Sequence, residues 1–174
     1  MGKTLKTALL GTIILTATLA VLTGCNTSGC TDNRSSIPLA EFYSSNTGTS
    51  ITLDSLEIHG IGAKGDSAVL HVGQAVSQVY LPMRAAQSQT AWCIRYGWAR
   101  TDHPALNDTV TFIYRSEPWF ASDECGAMYR YNIEHVAYTT HILDSVAVLD
   151  SMITNIDTAQ LRFFFATQEE EDQP

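Results

Sequence analysis

The chain is short of positive charge. Ten Lys and Arg face eighteen Asp and Glu, a formal charge of −8 over 174 residues. Phosphate backbones are held by clustered Lys and Arg, so this balance excludes nucleic acid as a partner. It equally opposes adsorption to an anionic bilayer. Motifs are missing too. There is no Gly-x-Ser-x-Gly nucleophile elbow and no Asp-x-Asp-x-Asp-Gly calcium loop. None of the five histidines (His59, His71, His103, His135, His141) has the tight spacing of a zinc site. The expectation is therefore no catalytic residue, no metal and no cofactor. Beyond residue 25 no segment keeps a helical period over three turns, which argues against a helical fold. No internal repeat or second domain is visible.

What is present begins at the N-terminus. Lys3 and Lys6 precede an apolar run from Ala8 to Leu22. Basic residues followed by an apolar core are the layout of a secretory signal. The run falls short of the roughly 20 apolar residues of a membrane span. It closes in Leu22-Thr23-Gly24-Cys25, which looks like the lipobox of bacterial lipoproteins. The small residues let a peptidase approach the backbone, and the thiol can take up diacylglycerol. Residues 1–24 are read as a cleaved signal peptide, and 25–36 as the lipid anchor and a polar tether. Each buried methylene contributes about 0.8 kcal/mol, so two or three acyl chains hold firmly. Cys25 is thus the expected lipidation site and the link to the membrane.

Cleavage leaves 150 residues, one ordinary domain with room for a core. Loss of Lys3 and Lys6 leaves eight basic against eighteen acidic residues, −10. Four of the acids form the run Glu169-Glu170-Glu171-Asp172, which repels itself and stays solvated, so 167–174 reads as a disordered tail. Export permits disulfides. With Cys25 lipidated, Cys30, Cys93 and Cys125 allow one bridge and one leftover thiol. Cys30 and Cys125 lie in polar, irregular stretches and are the expected pair, with Cys93–Cys125 as the alternative. The longer loop would stabilise by roughly 4–5 kcal/mol in the chain-entropy model.

From 37 to 166 the dominant period is two. Short strands are expected at Leu39–Tyr43, Thr52–Ile58, Ala68–Val72 and Ser77–Leu81. The clearest runs from Thr90 to Ala99, with Trp92, Ile94, Tyr96 and Trp98 on one face. Asp108–Arg115 alternates again. Pro118 and Cys125 mark Ser116–Gly126 as a loop. Tyr129, Tyr131 and Ile133 share a face, and Ser145–Leu149 and Leu161–Phe165 complete the set. About seven to nine short, mainly antiparallel strands predict an all-β, sandwich-like domain.

Several pieces, taken in order, carry a resemblance. They are Pro38-Leu39 with Phe42-Tyr43, Thr52-Leu53-Asp54-Ser55-Leu56, Tyr80-Leu81-Pro82, Asp108-Thr109-Val110-Thr111-Phe112, Cys125-Gly126, Asp144-Ser145-Val146 and Leu161-Arg162-Phe163-Phe164-Phe165. The chain resembles small Bacteroidales-type lipoproteins that share a domain of unknown function. The resemblance implies a β-rich exported domain and a structural role for Cys30 and Cys125. It implies no activity. Asn26 is not the aspartate that resembles an inner-membrane retention mark. Residues 26–29 also lack the acids that often mark surface export in that group. The expected location is the outer membrane, facing the periplasm.

Three function classes follow. The leading one is a non-enzymatic binding or assembly module. Trp119-Phe120, beside Pro118, is its candidate contact for an envelope protein or glycan, because exposed apolar patches usually mean contact. The second is an exported hydrolase or metal-dependent enzyme using His135 and His141, or Cys93. The third is a structural envelope protein, favoured if Trp119 and Phe120 are buried. His141, Asp144 and Ser145 are neighbours in sequence, but a triad is defined by geometry, and a turn accounts for them. Metabolic labelling with a radioactive fatty acid tests the anchor. Cys25→Ser should abolish labelling and leave the precursor uncleaved; normal labelling of that variant removes Cys25 as the anchor.

Overall fold

The computed structural model describes residue 30 and residues 35–62, 68–70, 75–97 and 104–167. The expected signal peptide, Cys25, most of the tether, His71, Trp98, His103 and the acids from Glu169 onward lie outside the described residues. The chain clusters into two units, Met1–Thr31 and Asp32–Pro174. Of the first, only Cys30 is described.

The second unit is all β. Ten strands run in the order β1 Leu39–Ser44, β2 Leu56–Gly60, β3 Ala68–Leu70, β4 Gln78–Tyr80, β5 Gln89–Tyr96, β6 Asp108–Ser122, β7 Gly126–Tyr138, β8 Leu143–Val148, β9 Met152–Ile153 and β10 Ala159–Phe165. They form a four-stranded sheet, β4-β1-β10-β8, and a six-stranded sheet, β3-β2-β5-β6-β7-β9. All pairings are antiparallel except β1 with β10, which run side by side in the same direction.

Alternation builds the core between the sheets. Phe42 of β1 and Leu161, Phe163 and Phe165 of β10 come from one sheet. Trp92, Ile94 and Tyr96 of β5 and Val110, Phe112 and Tyr114 of β6 come from the other. Phe165 meets Phe42 edge-on at 5.4 Å within its own sheet. It also meets Tyr96 edge-on at 6.2 Å across the interior. Burying an aromatic of this size stabilises by roughly 2–3 kcal/mol.

Three sequence expectations are corrected. The strand expected from Thr52 starts only at Leu56, because Ser55 is left-handed (φ 53°) and turns the chain. No strand is expected between Leu149 and Leu161, yet Met152 and Ile153 pair with Asn132 and Tyr131 as β9. The largest correction concerns Ser116–Gly126. It is not a loop. β6 and β7 run as one long hairpin that turns only at Asp123–Cys125, with Gly126 at φ 72°.

Pro118 sits inside β6 at no cost to pairing. Tyr114 N–H donates to Ser88, on the side of β6 away from β7. By alternation the nitrogen of Pro118 points the same way. The pairing of β5 with β6 has already ended at Ile113, so no ladder bond is lost there.

The turn at Ser55 is locked by a close approach. Gly97 N–H donates to the Ser55 carbonyl at 2.6 Å. A Cβ on Gly97 would lie 2.7 Å from that oxygen and 2.9 Å from the Ser55 Cβ. Gly97→Ala should therefore destabilise by about 2 kcal/mol, as overpacking against rigid backbone does. Urea unfolding measures it, and an unchanged midpoint would remove this contact from the fold's requirements.

Candidate functional site

The long hairpin leaves the sandwich. As far as Tyr114 on β6 and Tyr131 on β7 its inner face is core, and these two pack edge-on at 5.4 Å. The register then continues as Pro118 opposite Tyr129 and Phe120 opposite Ala127. The face is the same, but among the described residues nothing comparable covers it: Tyr129 is 44% exposed and Phe120 61%. The arm is stiffened from the side. The Tyr114 hydroxyl donates to the Arg84 carbonyl and accepts from the Arg84 N–H, both at 2.9 Å. Ser116 Oγ donates to the Ala85 carbonyl at 2.7 Å. A shallow open cleft of about 320 Å³ lies between this 85–88 segment and residues 114–117.

Trp119 and Phe120 do not share a face of β6. Adjacent residues on a strand point to opposite faces. Trp119 lies half-buried opposite Met128. Its face also carries the exposed Glu117–Arg130 ion pair at 2.9 Å, and Ser36 Oγ reaches Met128 Sδ at 3.2 Å. The true companions of Phe120 are Pro118 and Tyr129. Alternation through Pro118 was the signal for this, obscured once proline was read as a loop.

Cys30 and Cys125 form the disulfide, which overturns the Cys93–Cys125 alternative. Asn155 Nδ2 contacts Cys125 Sγ at 3.7 Å. Cys93 lies half-buried in β5, opposite His59 on β2 and Thr109 on β6. His59 is buried, with Nδ1 3.8 Å from Glu57 Oε1.

A second polar centre escaped sequence reading altogether. Asp108, the first residue of β6, is fully buried. Its Oδ1 accepts from Thr139 Oγ1 (2.7 Å) and His141 N–H (2.8 Å). Its Oδ2 accepts from Tyr96 O–H (2.8 Å), Ile142 N–H (2.9 Å) and Leu143 N–H (2.8 Å). Burial pushes the carboxyl up. The three backbone N–H groups and the Thr139 hydroxyl outweigh it, and the pKa lies below the ordinary aspartate value. Burial, then the Asp108 charge, push Tyr96 far above the ordinary tyrosine range, which keeps its hydroxyl a donor. His141 Nδ1 lies 3.1 Å from both Asp108 Oδ1 and the Asn107 carbonyl. The signal was weak: Asp108 falls in the same alternating register as Val110 and Phe112.

His135 lies on β7 opposite Ile113, while His141 belongs to the turn before β8. Asp144 is exposed and Ser145 half-buried, both on β8. Among the described residues no three His, Cys, Asp or Glu side chains are placed to hold a metal ion.

The two sheets and the overhanging aromatic hairpin define an all-β, sandwich-like protein. A family model described as a family of unknown function, DUF6452, matches residues 55–165. The chain belongs to that family, and the match takes in β2 to β10. No curated protein and no solved structure matches the chain.

Asp108 makes stability depend on acid. A carboxyl whose folded pKa is depressed contributes stability above its unfolded value, about 3.9. That contribution is lost as pH falls through the folded value. Asp108→Asn places an NH2 group among N–H donors and should cost about 3 kcal/mol at neutral pH. The variant should also lose part of the stability change below about pH 4. Urea unfolding from pH 2 to 7 measures both, and parallel pH profiles would show that Asp108 does not carry the linkage.

Proposed function

We propose that the protein is a non-enzymatic binding or assembly module of the bacterial envelope. The lipid on Cys25 holds it to the outer membrane, facing the periplasm. Its partner contact is the overhanging face of the β6–β7 hairpin. The observation that carries this reading is the exposure of Phe120 and Tyr129, with Pro118 between them, on an arm braced by Tyr114 and Ser116. An apolar face on a stiff arm can be covered at little cost in ordering, which suits a binding surface. Flat aromatic rings suit either an apolar protein surface or the face of a sugar.

The enzyme reading draws no comparable support. Its residues His135, His141 and Cys93 occupy β7, a turn and β5 respectively. Asp108, the carboxylate beside His141, is engaged by three backbone amides.

Chemical crosslinking in cells, with recovery of the anchored chain and mass spectrometry, tests the module. One partner should be recovered in near-stoichiometric amount, then lost when Phe120 and Tyr129 are both changed to Ala. Trp119→Ala should weaken recovery less, since Trp119 lies on the other face. Recovery unaffected by the double variant would move the contact away from the hairpin.

A further inference from the structure

The sheet edges are unequal. Of the four outermost strands, β3 and β4 have three residues each and β9 has two, whereas β8 has six. Short edge strands are an ordinary protection against pairing with foreign chains. β8, running from Leu143 to Val148, is longer; it contains no Lys, Arg or Pro, and its one charged residue is Asp144 near its start. The neighbouring rim is also open: among the described residues, no strand pairs with the outer side of β7 beyond Asn132. An open cleft of about 520 Å³ joins the two rims, lined by residues 133–136 of β7 with Val148, Leu149 and Ser151.

Backbone groups face this cleft. Leu149 N–H donates to Gln160 C=O at 2.7 Å. By antiparallel alternation the N–H and C=O of Val146 and Val148 turn away from β10, toward the open edge. Thr139 N–H donates to Thr109 C=O at 3.0 Å, so those of Val136 and Tyr138 turn away from β6. Between the rims Glu134, His135 and Ser151 stand beside the apolar Ile133, Val136, Val148 and Leu149. Val136 and Val146 pack on the core, while Val148 is 39% and Leu149 48% exposed.

We propose that this seam receives an extended segment of a partner protein as an added strand along β8. Val146 and Val148 supply the main-chain bonds, and the apolar floor selects every second side chain of the incoming strand. Charge selects the rest. Glu134, Asp144 and Asp150 are exposed around the seam, and the nearby cation Arg115 is engaged by Glu134. A chain of formal charge −8 repels a second copy of itself. The occupant is therefore a strand alternating apolar residues with Lys or Arg. This surface is separate from the hairpin contact and does not depend on it.

Hydrogen exchange on the full-length chain tests the proposal, using a synthetic peptide of four Val-Lys repeats. A control peptide carries N-methyl groups on alternate amides, which keeps charge and apolarity and blocks strand pairing. The plain repeat should slow exchange at Val146 and Val148, the control should not, and Val148→Lys should weaken binding about tenfold by placing a charge on the edge. Leu149→Lys, at a half-exposed position, repeats the test should Val148→Lys fail to fold. Equal protection by both peptides, no protection by either, or undiminished binding to a folded edge variant would each overturn the proposal. So would a dimer of the free chain in which β8 is already protected, since a second copy would then be the occupant.

Discussion

One buried carboxylate ties the two sheets together. Asp108 begins β6 in the six-stranded sheet, and three of its donors are the consecutive N–H groups of His141, Ile142 and Leu143, where the chain enters the four-stranded sheet. A lone charge in this position would cost several kcal/mol. Fixed donors remove that penalty only while the turn keeps its shape. The turn in turn has few other anchors, since its N–H groups are spent on the carboxylate. Tyr96 from β5 and Thr139 from the end of β7 complete the set. Carboxylate and turn therefore form or fail together, and the relative placement of β7 and β8 follows from them.

The rest of the functional surface descends from that placement. β7 must leave the turn along β6, and the two strands stay paired long after β5 has stopped. Tyr114 and Phe120 stand on the same face of the same strand, yet one is buried and the other is 61% exposed. Chemistry does not distinguish them; coverage does. The apolar face of the hairpin is core where the second sheet lies over it and exposed at Phe120 and Tyr129, where it does not. An arm that were merely loose would lose this distinction, but the bonds from Tyr114 and Ser116 to the 84–85 backbone hold it.

Local alternation made much of the fold legible. Trp92, Ile94 and Tyr96 share the buried face their spacing predicts, and Leu161–Phe165 lies within a core strand. The disulfide was legible from the polar settings of Cys30 and Cys125. What failed were four local readings that a distant partner or a neighbouring strand decides. Pro118 reads as a strand breaker unless its nitrogen is known to face an open side. Ser55 alternates correctly but is turned over by its contact with Gly97. Asp108 reads only as the first residue of a strand, because the amides that make its burial tolerable lie more than thirty residues away. Trp119 and Phe120 read as one patch only while the segment is taken for a loop; as a strand it must divide them.

Acidity gives the open edge a different meaning from the one it would have in a neutral protein. A six-residue edge strand is ordinarily a route to self-association, because identical edges pair readily and each pairing exposes another. Here the copies carry like charge, with Asp144 on the edge strand and Asp150 just beyond its end. Two such edges brought together would set these carboxylates close to one another, a repulsion that falls off with added salt. The backbone groups of β8 are equally unpaired toward every candidate strand, so main-chain bonding cannot discriminate among them. Side-chain charge can. Like charge penalises the pairing of copies, while a segment of opposite sign meets no such barrier. The same negative balance thus opposes pairing of an exposed strand edge with its own copy.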